Sequence, residues 1–296
     1  MDHSLPRSIA LKNDQPDIFY TVNDLHEFLA TASEQGKRIG FVPTMGNLHQ
    51  GHLDLVRRAS DLADIVIVSI FVNPMQFGPH EDFDTYPQTL NLDCQALAGY
   101  DCAAVFAPTV REIYPKGLST EIDVPRLSTI LCGYHRPGHF KGVATVVCKL
   151  LNIVQPDIAV FGNKDYQQLQ IIKTMVEDLL LPVQVIGTDT RREPNGLAMS
   201  SRNAYLLESE KQIAAILYCA LKKVAKAVQD NTQIKTTLRR QKQRLISAGF
   251  VLDYLEIRDA EDLSMTYVES DTAVVLVAAK LGDARLIDNV IVDLSK

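Results

Sequence analysis

The chain has 296 residues, 46% hydrophobic and 22% charged, a balance that excludes both a disordered chain and a membrane protein. Its length corresponds to about two domains. The 36 acidic residues against 30 basic ones leave a formal charge of −6, which argues against broad attraction to nucleic acid or an anionic membrane and leaves room for a local basic pocket.

The first thirty residues hold no apolar run between a basic start and a small-residue cleavage site. The longest apolar stretch, 273–279, falls far short of the roughly 20 residues a membrane span needs, so a cytoplasmic protein is expected. In chain order, apolar β-branched runs predict strands at 38–42, 65–72, 102–106, 157–161 and 183–186. Most are continuous, as in a parallel sheet covered on both faces. Helices are expected after Gly51, over 142–154 and over 165–180, the last two ended by Pro156 and Pro182. Their alternation with the strands is the βαβ pattern of an α/β domain.

Beyond about 187 the texture changes to helices near 208–229 and 234–248 and strands near 251–257, 272–279 and 285–292. The expected division is therefore an α/β domain over 1–187 and a smaller α+β domain over 188–296. Loops at 73–87 and 108–140 are too long for simple connections. The five cysteines, Cys94, Cys102, Cys132, Cys148 and Cys219, are widely spaced without a C-x-x-C pair and read as reduced, buried filler.

Five segments carry candidate chemistry. The first, P-T-M-G-N-L-H-Q-G-H at 43–52, joins the first apolar strand to an amphipathic helix. There its glycines would let the backbone approach a phosphate, and free N–H groups at the helix start would favour an anion. His49 and His52 would add donors; solvated or core histidines are the alternative. The segment is not G-x-G-x-x-G, the chain has no G-x-x-x-x-G-K-[ST] loop, and no third ligand at metal spacing supports zinc.

The second, F-G-N-K-D-Y-Q-Q at 161–168, repeats the strand–glycine–helix arrangement, and Lys164 at a positive helix end makes sense with an anion between them. A surface lysine beside a capping Asp165 is the alternative. The third, R-E-P-N-G-L-A-M-S-S-R-N at 192–203, puts two hydroxyls beside an arginine at the domain boundary; alone it also reads as a polar linker turning at Asn195-Gly196. In the fourth, N-P-M-Q-F at 73–77, Asn73 and Gln76 suit hydroxyl or carboxylate recognition without adding charge. The fifth, R-P-G-H-F-K-G at 136–142, is either another anion contact or a helix entry.

With P-T-M-G-x-L-H-x-G-H, N-P-x-Q-F, R-P-G-H-F-x-G-V, F-G-x-K-D-x-Q-Q and R-E-P-x-G-L-A-M-S-S-R-N in order from about residue 38 to 206, the chain closely resembles the pantothenate synthetase family. The resemblance implies a Rossmann-like, mostly parallel sheet of the HIGH-type nucleotidyltransferases and a C-terminal domain closing as a lid. It implies ATP-dependent condensation of (R)-pantoate with β-alanine to pantothenate, AMP and pyrophosphate through a pantoyl-adenylate, with Mg²⁺ accompanying ATP, in a homodimer.

Carried onto this sequence, the ATP site would be Met45, Gly46, Asn47, Leu48, His49, Gln50, Gly51, His52, Gly162, Asn163, Lys164, Asp165, Met199, Ser200, Ser201 and Arg202, with Arg191 at a backbone contact to the nucleotide. His52 would be the proton donor, with His49 and Lys164 also among the catalytic residues, and Lys164, Ser200, Ser201 and Arg202 would hold phosphates. Gln76 would contact pantoate and β-alanine, and Gln168 would contact pantoate. The chain departs from the family's commonest form at Asn47 for alanine, Gln50 and Asn163 for glutamate, Gln88 for arginine and Arg191 for valine. Another small-carboxylate adenylyl- or nucleotidyltransferase is the rival enzyme reading, and an ATP binder without turnover is the rival of another class.

Overall fold

The apolar runs become strands in the computed structural model, which describes residues 15–79, 81–267 and 270–295. The chain clusters into two compact units. One comprises the described residues up to Val124 with Gly138–Phe161 and Ile172–Thr188, the other Pro125–Pro137, Gly162–Ile171 and the chain from Asp189.

The first unit is built on β1 (Asp17–Phe19), β2 (Ile39–Thr44), β3 (Ile65–Ile70), β4 (Ala104–Phe106), β5 (Ile158–Gly162) and β6 (Gln184–Thr188). They form one sheet in the order β1-β4-β3-β2-β5-β6, with β1–β4, β4–β3, β3–β2 and β2–β5 all parallel. Helices α1 (Val22–Glu34), α2 (Gln50–Ser60) and α3 (Leu90–Leu97) alternate with these strands. The short helices α4 (Val110–Ile113), α5 (Pro125–Ser128) and α6 (Cys132–His135) break up the stretch expected as one long loop, and α7 (His139–Val154) follows.

The continuous apolar character of β2 to β5 has the expected cause: alternate residues point to opposite faces, and both are covered. On one face Val42, Val66, Val68, Val105 and Ile158 pack with Leu53, Val56 and Ala59 of α2 and Leu97 of α3. Phe41, Ile67 and Phe106, pointing the other way, are fully buried too. The chain runs outward from β2 through β3 and β4 on one side and from β5 to β6 on the other. The order therefore reverses between β2 and β5, and at such a switch point open α/β sheets bind ligands beyond the carboxyl ends of their strands. The first candidate segment starts at that end of β2.

Helix α8 (Tyr166–Asp178) follows β5. In the second unit, α9 (Glu208–Ala214), α10 (Ile216–Gln229) and α11 (Ile234–Ser247) precede β7 (Val251–Asp259), β8 (Thr272–Leu281) and β9 (Ala284–Asp293). The pattern expected as one helix over 208–229 is two, because Ala215, at φ −61° and ψ −18°, takes a 3₁₀-like conformation. The strands form an antiparallel sheet in the order β7-β8-β9. Leu217, Leu221, Val224 and Val228 of α10 and Leu245 of α11 close over Val275, Val277 and Ala279 of β8.

Among the described residues no helix is long and apolar enough to cross a membrane, and the apolar stretch 273–279 is β8. Residues 1–14, part of the expectation about the N-terminal thirty, lie outside the described residues. Cys94, Cys102 and Cys132 are buried and Cys148 and Cys219 half-buried, all as free thiols. Burial pushes the Cys102 thiol up to about 12, so it stays protonated and inert.

Candidate active site

In the first unit, β2 ends at Thr44, whose hydroxyl donates to the Ser69 carbonyl (2.8 Å) and accepts from the Gly46 amide (3.1 Å). Gly46 and Asn47 then take left-handed conformations, φ +83° and +52°. Asparagine tolerates that region better than alanine does, a local reason for the departure at Asn47. The buried carboxylate of Asp93, on α3, accepts from the amides of Asn47 (3.0 Å) and Leu48 (2.7 Å).

Free N–H groups were expected here, and the structure corrects this. The Asn47 and Leu48 amides are held by Asp93, and the start of α2 is capped from within. His49 Nδ1 accepts from the Gly51 amide (3.1 Å) and His52 Nδ1 from the His49 amide (3.3 Å), a reciprocal cap built from two imidazoles. Their rings stack with centroids 4.1 Å apart. A Nδ1 that accepts carries no hydrogen, so each neutral ring holds its proton on Nε2. Both histidines are half-buried and cap the start of α2 through Nδ1. Gln50 donates to Asp54 Oδ1 and the Tyr100 hydroxyl, both at 3.1 Å. A glutamate there would face Asp54 four residues on, as like charge, without those donors.

Asn73, expected as a recognition group, is a structural cap. It is 1% exposed, its amide nitrogen donates to the Gly142 carbonyl (3.1 Å), and its oxygen accepts from the Tyr114 hydroxyl (2.8 Å). Its partner in the motif differs. Gln76 ends the 3₁₀ turn Pro74–Gln76 half-buried, its Nε2 3.0 Å from Met45 Sδ. His139 Nδ1 lies 2.8 Å from the Gln76 carbonyl, so the fifth segment is a helix entry that supports this turn.

Gly142 is required by close approach. A Cβ there would stand 2.7 Å from the Gln76 amide nitrogen and closer still to the Met75 carbonyl. Gly142→Ala is expected to cost about 1–3 kcal/mol in urea unfolding, as overpacking does, with a weakened grip on whatever Gln76 contacts.

In the second unit, a 3₁₀ turn, Asn163–Asp165, leads into α8. Lys164 Nζ is 3.3 Å from Asp165 Oδ2. Asn163 donates to Asp189 Oδ1 (3.3 Å), a carboxylate that the family's usual glutamate would repel. The two glutamines that follow divide the work. Gln167 is buried and ties down 127–132, donating to the Leu127 and Ile130 carbonyls (both 2.8 Å) and accepting from the Cys132 amide (3.0 Å). Gln168, one residue on and about 100° around the helix, is half-buried.

The third segment is a tight hairpin. Met199 N donates to the Arg191 carbonyl (2.9 Å) and Glu193 N to the Leu197 carbonyl (2.8 Å), with the expected turn at Gly196, φ +96°. Ser200 Oγ caps the 3₁₀ turn Ser201–Tyr205, accepting from Arg202 N at 3.3 Å, so Ser201 and Arg202 stand half-buried at its start. Arg191 and Gln88 are exposed, and nothing in the structure explains either departure.

Sequence reading missed three polar residues that hold these loops, Asp93, Asp288 and Asn289. Asp288 makes a bidentate pair with Arg192 (2.7 and 2.9 Å). Asn289 donates to the carbonyls of Asn163 (2.8 Å) and Lys164 (2.9 Å). A polar D-N pair inside the apolar run of β9 was the available signal.

The fold defines a class, the Rossmann-like α/β proteins with an appended antiparallel unit. Over residues 17–291 the chain matches the family model described as Pantoate-beta-alanine ligase. It is 53% identical to the pantothenate synthetase of Shewanella sp. (strain MR-7) and 52% to that of Shewanella woodyi, over 90% of this chain and 96% of each relative. The solved pantothenate synthetase of Thermus thermophilus superposes with a TM-score of 0.87 at 42% identity, covering 95% of this chain and all of that one. The pantoate-beta-alanine ligase of Francisella tularensis, complexed with Beta-gamma ATP and beta-alanine, gives 0.78 at 36% identity over 93% of this chain and 97% of that one. The chain belongs to the pantoate-beta-alanine ligase family, and it is an enzyme, a ligase that joins carbon to nitrogen.

Proposed function

We propose that the chain condenses (R)-pantoate with β-alanine at the expense of ATP, giving pantothenate, AMP and pyrophosphate. The observation that carries this is family membership along nearly the whole chain, with a solved relative complexed with Beta-gamma ATP and beta-alanine. A carboxylate is a poor acylating agent, so a pantoate oxygen attacks the α-phosphorus, the bond to pyrophosphate breaks, and a mixed anhydride forms. The amine of β-alanine attacks its carbonyl carbon, the C–O bond to AMP breaks, and the amine gives up a proton. Such steps are accelerated by positioning and charge stabilisation.

In this reading the Nε2–H donors of His49 and His52 meet phosphate oxygens, and Lys164, Ser200, Ser201 and Arg202 carry charge and hydrogen bonds to the polyphosphate. Residues 45–52, 162–165 and 199–202 and the backbone of Arg191 form the nucleotide site, Gln76 contacts pantoate and β-alanine, and Gln168 contacts pantoate. Among the described residues no group of three His, Cys, Asp or Glu side chains is placed to hold a metal. Mg²⁺ fits as the companion of the triphosphate, neutralising its charge, with at most one or two carboxylates such as Asp165 from the chain. The reading includes a cytoplasmic homodimer and a division at 187/188 with the C-terminal part moving as a lid.

Pyrophosphate release from MgATP and (R)-pantoate, with and without β-alanine, tests the reading while AMP and pantothenate are followed by mass spectrometry. The expected result is one burst per site without β-alanine and sustained pantothenate formation with it. ATP binding without pantoate-dependent pyrophosphate would overturn it in favour of another acceptor or a non-catalytic binder. His52→Ala is expected to lower turnover by more than about tenfold with the fold intact, the scale of a general acid or phosphate donor. Wild-type turnover in that variant would remove the assignment.

A further inference from the structure

We propose that Asn289, together with the Arg192–Asp288 pair beside it, is a positioning residue that fixes the two phosphate-holding segments of the second unit, 163–165 and 199–202. The proposal rests on the site reading above, in which those segments meet ATP. Asn289 lies on β9 and is 5% exposed. Its side-chain amide has two hydrogens, and both are used on consecutive carbonyls, those of Asn163 and Lys164. Two successive carbonyls gripped by one planar group set two peptide planes, and with them the direction in which the Lys164 side chain leaves the turn.

The neighbouring residue serves the other segment. Asp288, 4% exposed, takes the Arg192 guanidinium through both oxygens and also accepts from the Asn289 amide (2.8 Å). Arg192 in turn donates to the Gly196 carbonyl (3.2 Å), closing the hairpin whose far strand runs into Met199 and Ser200, and lies 3.6 Å above the Tyr218 ring. Two adjacent positions of one strand thus hold the lysine turn and the serine-arginine turn in a fixed relation.

Stability alone does not call for this arrangement. A buried ion pair is commonly no more stabilising than apolar residues of the same volume, and Asp288 is 4% exposed. A hydrogen-bonded polar network that is buried fixes geometry, and in the proposed reading the geometry fixed here is that of two phosphate-binding turns.

The test uses the full chain with Asn289→Ala, the milder Asn289→Ser and the reference variant Lys164→Ala. KM and kcat are measured by pyrophosphate release and folding by thermal melting. Expected is a rise of about tenfold or more in the KM for ATP for Asn289→Ala, a smaller rise for Asn289→Ser, a KM for (R)-pantoate within about twofold of wild type, and near-wild-type melting. An unchanged KM for ATP in Asn289→Ser or Asn289→Ala, beside a lowered kcat/KM in Lys164→Ala, would overturn the positioning role; activity then lost only in step with folded protein would mark Asn289 as structural. An unchanged kcat/KM for ATP in Lys164→Ala would overturn the underlying site reading, and the positioning proposal with it.

Discussion

Lys164→Ala is expected to lower kcat/KM for ATP by about 10²–10³, the range for removal of a single preorganised donor to developing charge. Lys164 sits in the 3₁₀ turn that opens into the 13-residue helix α8. A cation at that end adds to the helix's positive pole rather than offsetting it, and Asp165, at 3.3 Å, relieves it only in part. In the proposed function, the polyphosphate offsets this unfavourable placement. Lys164→Arg is expected to recover only part of the loss, because a planar fork does not reproduce a compact ammonium. Pyrophosphate release as a function of ATP concentration measures both, and a loss below about threefold in Lys164→Ala would rule out a phosphate contact in the transition state.

Asp288→Ala is the second large effect, on stability. Burial pushes the Asp288 carboxyl above its ordinary pKa while Arg192 pulls it back, so the carboxylate depends on its partner. Removing it strands the guanidinium of Arg192, which is 18% exposed, against the Tyr218 ring. Breaking one side of a buried pair costs about 3–5 kcal/mol, and this should appear as a lower urea midpoint. The double variant Arg192→Met/Asp288→Ala, with no charge left behind, is expected to be more stable than Asp288→Ala alone. Equal stability of the two would show that the stranded charge is not the cause.

Much of the fold was legible because long-range order has local marks. The runs at 65–70 and 273–279 are continuous since both faces of their strands are covered, and Pro156 and Pro182 follow the ends of α7 and α8. Strand β1 was missed: three residues whose order comes from pairing with β4, 87 positions on, leave no periodicity to read. Helix α1 was also missed, although Thr21, whose side chain accepts from the Asp24 amide, and the spacing of the buried Leu25, Leu29 and Ala32 mark it.

The supports of the candidate site were not legible in the sequence. Lys164, His49, His52 and the Ser200-Ser201-Arg202 group stand on the segments that spacing picked out. Asn73 was misread because residue type alone cannot tell a recognition amide from one consumed by Gly142 and Tyr114. Asp93 reaches Asn47 across 46 positions and Asp288 reaches Arg192 across 96, and no pattern within a window joins residues so far apart.

Strand β8 has a consequence for synthesis and handling. Its A-V-V-L-V-A-A run is buried throughout and is hydrogen-bonded on both sides, to β7 and β9. Composition of this kind, β-prone, uncharged and free of proline, is what self-templating fibrils are made from, and Asp271 and Lys280 at its flanks are its nearest gatekeepers. It is harmless because neither edge is open. A chain cut before Ala284 would emerge with one edge bare, and such a fragment is expected to precipitate or seed its own kind rather than persist as a soluble intermediate.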